Sequence, residues 1–362
     1  MLREINLKSN VIKGLIEISG FSKEEIAGKA KISLKSLEEG KLTIPQLKRL
    51  AEVLKRPIAA FFSDEVTPLP TMPDYRLNKQ KRINPEVFFA QRKLTYLLTK
   101  LKELGVEKTA IPIFESNLSP FQLSNQFRHY LGVEIMKNQK PTDILDRYKE
   151  IIEDKLKILI IEYPLKPKKS KESDDVRAFS IYSELSGIVL NETDHPSVKL
   201  FSLFHEVCHL LRKNSGICSL EYETEEKYEE ESFCNKFAAE FLVPSYDIKE
   251  ELKNYSMSEK TISESVSVLS KIYGVSKQVI LLRLLYLQQL TREEYYSFKK
   301  QLEEKEIKQF GRRNWEEVFK NRAGNLTIKE VKKRLQENKL SFYEALNILD
   351  VKTKYAEKFL YG

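Results

Sequence analysis

Residues 198–211 read V-K-L-F-S-L-F-H-E-V-C-H-L-L, apolar on most sides of a helix yet carrying two histidines and a glutamate. No other stretch limits the fold so sharply. Imidazoles and a carboxylate are costly to bury unless something satisfies them, and here the spacing says what does. His205 and His209 are four residues apart, so on a helix they share a face and can reach one ion. Glu206 follows the first of them, where a carboxylate can serve as general base toward a water nucleophile. The chain has four histidines, and two of them fall at this spacing.

A hydrolytic zinc site takes three protein ligands and keeps one position open, and His/His/Glu ligation of that kind suits zinc. Residues 229–240, E-E-E-S-F-C-N-K-F-A-A-E, offer the third. Glu231 and Asn235 are four apart and share a face with Ala238 and Ala239, whose small side chains permit close helix packing. In that arrangement Glu231 binds the metal and Asn235 orients a ligand histidine. Glu230 competes for the same role, and composition by itself favours reading all three acids as a solvated run. His195 and Tyr222 are available to stabilise a transition state, but no spacing singles either out.

Along the chain, residues 1–63 read as four short helices. Ser22 and Glu25 form a capping-box pattern for the second, and Ser33 and Gly40 bracket the third. Residues 64–75, with three prolines, read as a linker. Helical patterns run from 85 to 104, 120 to 131 and 141 to 154. Residues 157–163, 176–182 and 187–191 are β-branched and aromatic and read as strands. The charged stretch 164–175 separates the first two of them. From Ser197 onward every pattern is helical, through 260–304 to a last segment at 315–360. No internal repeat is present.

Composition narrows the function classes. Apolar residues make up 41% and charged residues 31%, a globular rather than a disordered balance. No apolar run approaches the roughly 20 residues of a membrane span, and no secretory leader is legible, so a cytoplasmic protein is expected. Three cysteines, Cys208, Cys218 and Cys234, form no disulfide framework and no CxxC pair, and they read as core thiols. The net charge of +8 is compatible with a nucleic-acid or acidic protein partner and equally with a lysine-rich solvated surface.

HEVCHLL followed by EESFCNKFAAEFLVP resembles the ImmA/IrrE family of metallopeptidases. Aligned on Asn235, the family's third-ligand glutamate falls on Glu231. The approach RAFSIYSELSGIVLNETDHPSVKLFSLFHE and the downstream YGVSKQVILLRLLYLQQLTREEY are also similar to the family. QLKRLAEVLKRPIAAFF, then MPDYR, resembles the helix-turn-helix module of the XRE/Cro-C1 type often fused to these peptidases. Cys234 stands where the family has alanine. The recognition helix, SLKSLEEG, is about three residues short and carries Glu38 and Glu39, which repel phosphate, leaving Lys35 and Ser36 to meet base edges.

The resemblance implies a mainly α fold with a small β-sheet (α+β). Its parts would be a helix-turn-helix-like domain at 1–63, a linker at 64–75 and a helical connecting region at 76–155. A zincin-like metallopeptidase core at 156–256 and a helical region at 257–362 would follow. It further implies a cytosolic zinc endopeptidase that cleaves a regulatory protein, a helix-turn-helix repressor, within a stress-response or mobile-element switch. The N-terminal module would dock that partner or bind DNA. The alternative is a transcriptional regulator or antitoxin-like protein whose peptidase-like domain senses a ligand. An intact Glu206 favours the enzyme, because loss of the base is the mark expected of a retired peptidase.

Overall fold

The computed structural model describes residues 4–64, 66, 84–165, 176–213, 217–218, 225–253, 259–305, 314–351, 353 and 360. The chain is mainly helical, as the sequence patterns indicate, with two small sheets where one was expected. It divides into two compact units, residues 1–96 with 164–174, and residues 97–163 with 175–362.

The first unit runs β1 (Glu4–Asn6), α1 (Ser9–Glu17), α2 (Lys23–Ala30), α3 (Leu34–Glu39), β2 (Lys41–Thr43) and α4 (Ile44–Val53), then a 3-10 turn at Ile58–Phe62. The capping residues act as their positions suggest. Ser22 accepts from the Glu25 amide while the Glu25 carboxylate accepts from the Ser22 amide, and Ser33 caps α3. Gly40 ends α3 at φ 71°, and a Cβ there would lie 2.3 Å from the Leu7 carbonyl oxygen, so the turn requires glycine. Val11, Ile12, Leu15, Ile26, Leu37 and Leu50 fill the core between these helices. The expectation of helices alone needs correction here. Ile5 pairs with Leu42 in an antiparallel β1–β2 ribbon, whose three-residue strands are too short to show alternation. The linker read at 64–75 lies, apart from 64 and 66, outside the described residues.

Helix α5 (Pro85–Glu103) begins in the first unit and ends in the second. The second unit continues with α6 (Pro120–Leu131), α7 (Pro141–Leu156), β3 (Leu159–Tyr163), β4 (Ala178–Ile181), β5 (Gly187–Asn191) and α8 (Pro196–Leu211). After these come β6 (Ile217–Cys218), α9 (Glu225–Leu242), α10 (Ser245–Leu252), α11 (Glu259–Tyr273), α12 (Lys277–Tyr286) and α13 (Arg292–Lys305). The chain closes with α14 (Trp315–Ala323), α15 (Asn325–Gln336) and α16 (Phe342–Leu349).

Its sheet has the order β3-β5-β4-β6, with β3 parallel to β5 and the other two pairings antiparallel. The three longer strands lie where the β-branched runs placed them. β6 overturns the all-helical reading after Ser197: its two residues pair with Ala178 and Phe179, and so short a strand is specified by its partner rather than by its own sequence. One face of the sheet, through Ile160, Ile188 and Leu190, shares a core with Leu200, Leu203, Phe204 and Val207 of α8. The charged stretch at 164–175 lies, apart from 164 and 165, outside the described residues. No helix among the described residues is long and apolar enough to cross a membrane.

Candidate metal centre

Helix α8 is fixed before it reaches the histidines. Pro196 occupies its first turn, and His195 caps it, with Nδ1 accepting from the Ser197 amide at 3.2 Å. This assigns His195 to the N-terminus of α8, about ten residues before the motif, and away from the transition-state role weighed for it; Tyr222 lies outside the described residues. Lys199 pairs with Glu162 of β3, and Lys149 of α7 meets the other oxygen of the same carboxylate at 3.1 Å. All three charged groups are buried. Farther along, the Phe204 ring stacks on Phe241 of α9 at 3.9 Å between centroids and meets Tyr148 of α7 edge-on at 4.9 Å. The helix is thus held to the sheet, to α7 and to α9.

On that support the two histidines converge. Their Nε2 atoms are 3.1 Å apart. Glu231 of α9 reaches both, at 3.0 Å from His205 Nε2 and 3.3 Å from His209 Nε2. All three residues are buried, and one ligand atom from each lies within 4.8 Å of the others. Asn235, one turn after Glu231, places Oδ1 3.0 Å from His205 Nδ1. Glu230, the competing acid, turns elsewhere: both its oxygens accept from Arg212 Nε, at 2.7 and 2.8 Å. The guanidinium of Arg212 lies 4.3 Å over the Phe233 ring. Adjacent residues on a helix point about 100° apart, so the two acids take different partners.

The arrangement fits a divalent cation. If His205 Nδ1–H donates to Asn235 Oδ1, its Nε2 carries a lone pair. That lone pair faces the Glu231 carboxylate and the second imidazole, a set of donors that repel one another until a cation lies between them. Glu206 is fully buried beside the histidines, and neither of its carboxylate oxygens makes a hydrogen bond of normal geometry. Burial pushes its carboxyl upward, and His209, His205 and the Ser180 hydroxyl of β4 pull it only partly back. Burial would also raise Glu231, but His205 and His209 outweigh it and hold that carboxyl down at about 2. For His209 burial works downward, whereas Cys234 and Glu231 lift the imidazole well above its ordinary value.

Two neighbours escaped the sequence reading. Ser180 is a lone hydroxyl residue in the apolar strand A-F-S-I, and that exception was its only signal. Arg212 is the first basic residue after His209, within reach of an acidic helix. The residues weighed for DNA lie on α3 of the first unit. Lys35 is exposed and 3.9 Å from Glu39, while the Ser36 hydroxyl accepts from Ser33 at 2.8 Å.

A buried His–His–Glu group carried by two packed helices under a small mixed sheet, with a second, fully buried carboxylate beside it, has the composition of a metallohydrolase centre. Residues 153–285 match the family model of Peptidase_M78, the IrrE N-terminal-like domain, which spans α8 and α9 and the strands before them. The match supports the ImmA/IrrE family and a metallopeptidase of that type for this part of the chain. Comparison with curated proteins and with solved structures found no match.

Proposed function

We propose that the chain is a zinc-dependent endopeptidase that cleaves a regulatory protein, a helix-turn-helix transcriptional repressor, inside the cell. The observation that carries this reading is the convergence of His205, His209 and Glu231 beside the fully buried Glu206. His205, His209 and Glu231 would hold zinc, which supplies Lewis acidity toward a scissile carbonyl and toward water. Glu206 takes the proton from the attacking water and passes it to the leaving amine; burial, by raising its carboxyl, brings it nearer the range in which a carboxylate does both. Asn235 keeps His205 in the tautomer that leaves Nε2 free. The packed Phe204–Phe241 pair keeps water out from behind the motif.

For the first unit we propose a helix-turn-helix role in recruiting the substrate, with DNA contact through Lys35 and Ser36 as its other use. The short α3, with Ser36 engaged at its own helix cap, favours protein docking. Co-expression with the product of the neighbouring gene tests the substrate. A single new cleavage in that product, mapped by mass spectrometry and absent with Glu206→Gln, is expected. An intact neighbour beside a zinc-loaded protein that cuts a generic peptide would refute the substrate and spare the enzyme.

A further inference from the structure

We propose that His209, Glu230 and Cys234 form a second ion position, overlapping the first at His209 and suited to a soft, thiophilic divalent cation. One ligand atom from each lies within 4.8 Å of the others, with His209 and Cys234 buried and Glu230 half-buried. The carboxylate is already in place. Arg212 Nε holds both its oxygens, at 2.7 and 2.8 Å, and the flat guanidinium is in turn supported on Phe233. The cysteine is fully buried in the wall between α8 and α9.

Donor chemistry separates the two positions. The first offers two imidazoles and a carboxylate, a set for a borderline ion such as zinc. The second replaces one imidazole by sulfur, and thiolate ligation, which zinc also accepts, favours softer ions such as cadmium more strongly. Formal charge is also favourable: a thiolate and a carboxylate against one guanidinium leave −1 to meet the cation. Binding forms a sulfur–metal bond and releases the thiol proton to solvent, so no oxidant or reductant enters. The proposal stands on these donors alone and does not require hydrolysis.

Cadmium is the probe. The full-length protein, stripped of metal by a chelator, is titrated with cadmium chloride while the thiolate-to-cadmium absorption in the near ultraviolet is followed. With Cys208 and Cys218 replaced by serine throughout, so that Cys234 is the one thiol left, a saturable band is expected when Cys234 is intact and none in Cys234→Ala or Cys234→Ser. The serine variant keeps a donor of similar size, and circular dichroism establishes that both variants are folded. Glu230→Gln is expected to move the midpoint to about 10-fold higher cadmium or more, the loss typical of a weakened ligand set. Glu231→Gln removes a ligand of the first position only, so it should keep the band while losing zinc. Zinc retained in that variant would count against the peptidase site and not against this one. A band that survives Cys234→Ser, no band with Cys234 intact, or an unmoved midpoint in Glu230→Gln would overturn the second position.

Discussion

His205 and Asn235 meet across two helices, imidazole Nδ1 to amide Oδ1 at 3.0 Å, and this one contact sets which nitrogen of the histidine carries a proton. Sequence spacing put Asn235 one turn after Glu231; the fold turns that spacing into a hydrogen bond behind the ligand. Asn235→Ala is therefore expected to weaken zinc binding about 10–100-fold while the protein remains folded. Competition against a chromophoric chelator measures it. Undiminished affinity would mean that packing alone orients His205.

Glu231 and Glu230 should separate cleanly. Glu231→Ala removes the group 3.0 and 3.3 Å from the two Nε2 atoms, so bound zinc per chain should fall sharply. Glu230→Ala breaks the pair with Arg212, which is part-exposed, and should leave zinc at the His205–His209–Glu231 position unchanged with a stability cost of at most about 1 kcal/mol. Metal analysis after dialysis decides the matter, and the reverse pattern would exchange the roles.

Glu162 lies buried between Lys149 and Lys199, with Asn321 accepting from Lys149 at 2.9 Å. Glu162→Leu would strand the buried Lys199 ammonium and leave the buried Lys149 ammonium with Asp146 at 3.9 Å in place of its closer partner. Breaking a buried pair from one side costs about 3–5 kcal/mol, and a loss in that range is expected from chemical denaturation. Adding Lys149→Met should restore part of it, because one of the two buried ammonium charges then disappears.

Glu153 gives a pH signature away from the metal centre. Its carboxyl accepts from the Ile160 amide at 3.2 Å and the Leu326 amide at 3.3 Å. Burial raises it from 4.5 to about 7 against the opposing pull of Lys149, these two amides and Lys329. The folded value exceeds the unfolded one, so its favourable contribution is complete below about 4.5 and fades as pH rises through 7. Glu153→Gln keeps an acceptor oxygen and does not titrate. Melting temperatures from pH 5 to 8 should therefore rise in the variant relative to the wild type as pH increases. A difference independent of pH would show that Glu153 keeps one protonation state over that range.

What the sequence disclosed and what it withheld follow from the range of the interactions. The HExxH helix, the Ser22–Glu25 capping box and the Ser33–Gly40 bracket are local, set by residues within one or two turns, and the fold reproduces them. Gly187–Asn191 was legible because its centre, Ile188–Leu190, is a continuous apolar run, as a strand buried on both faces requires. β6 and the β1–β2 ribbon were hidden because short strands exist by virtue of distant partners. The choice between Glu230 and Glu231 depends on the rotation of α9, which packing against α8 decides. Ser180 lies 26 residues before Glu206, and only the sheet brings them together.

The central claim is that Glu206 is the base of a zinc-dependent peptidase, and one comparison tests it most directly. Wild type and Glu206→Gln, each loaded to the same measured zinc content, are assayed for cleavage of the same protein substrate. The amide preserves shape and cannot take the proton, so the rate is expected to fall about 10²–10⁴-fold with zinc unchanged. Equal rates at equal zinc content would contradict the role given to Glu206.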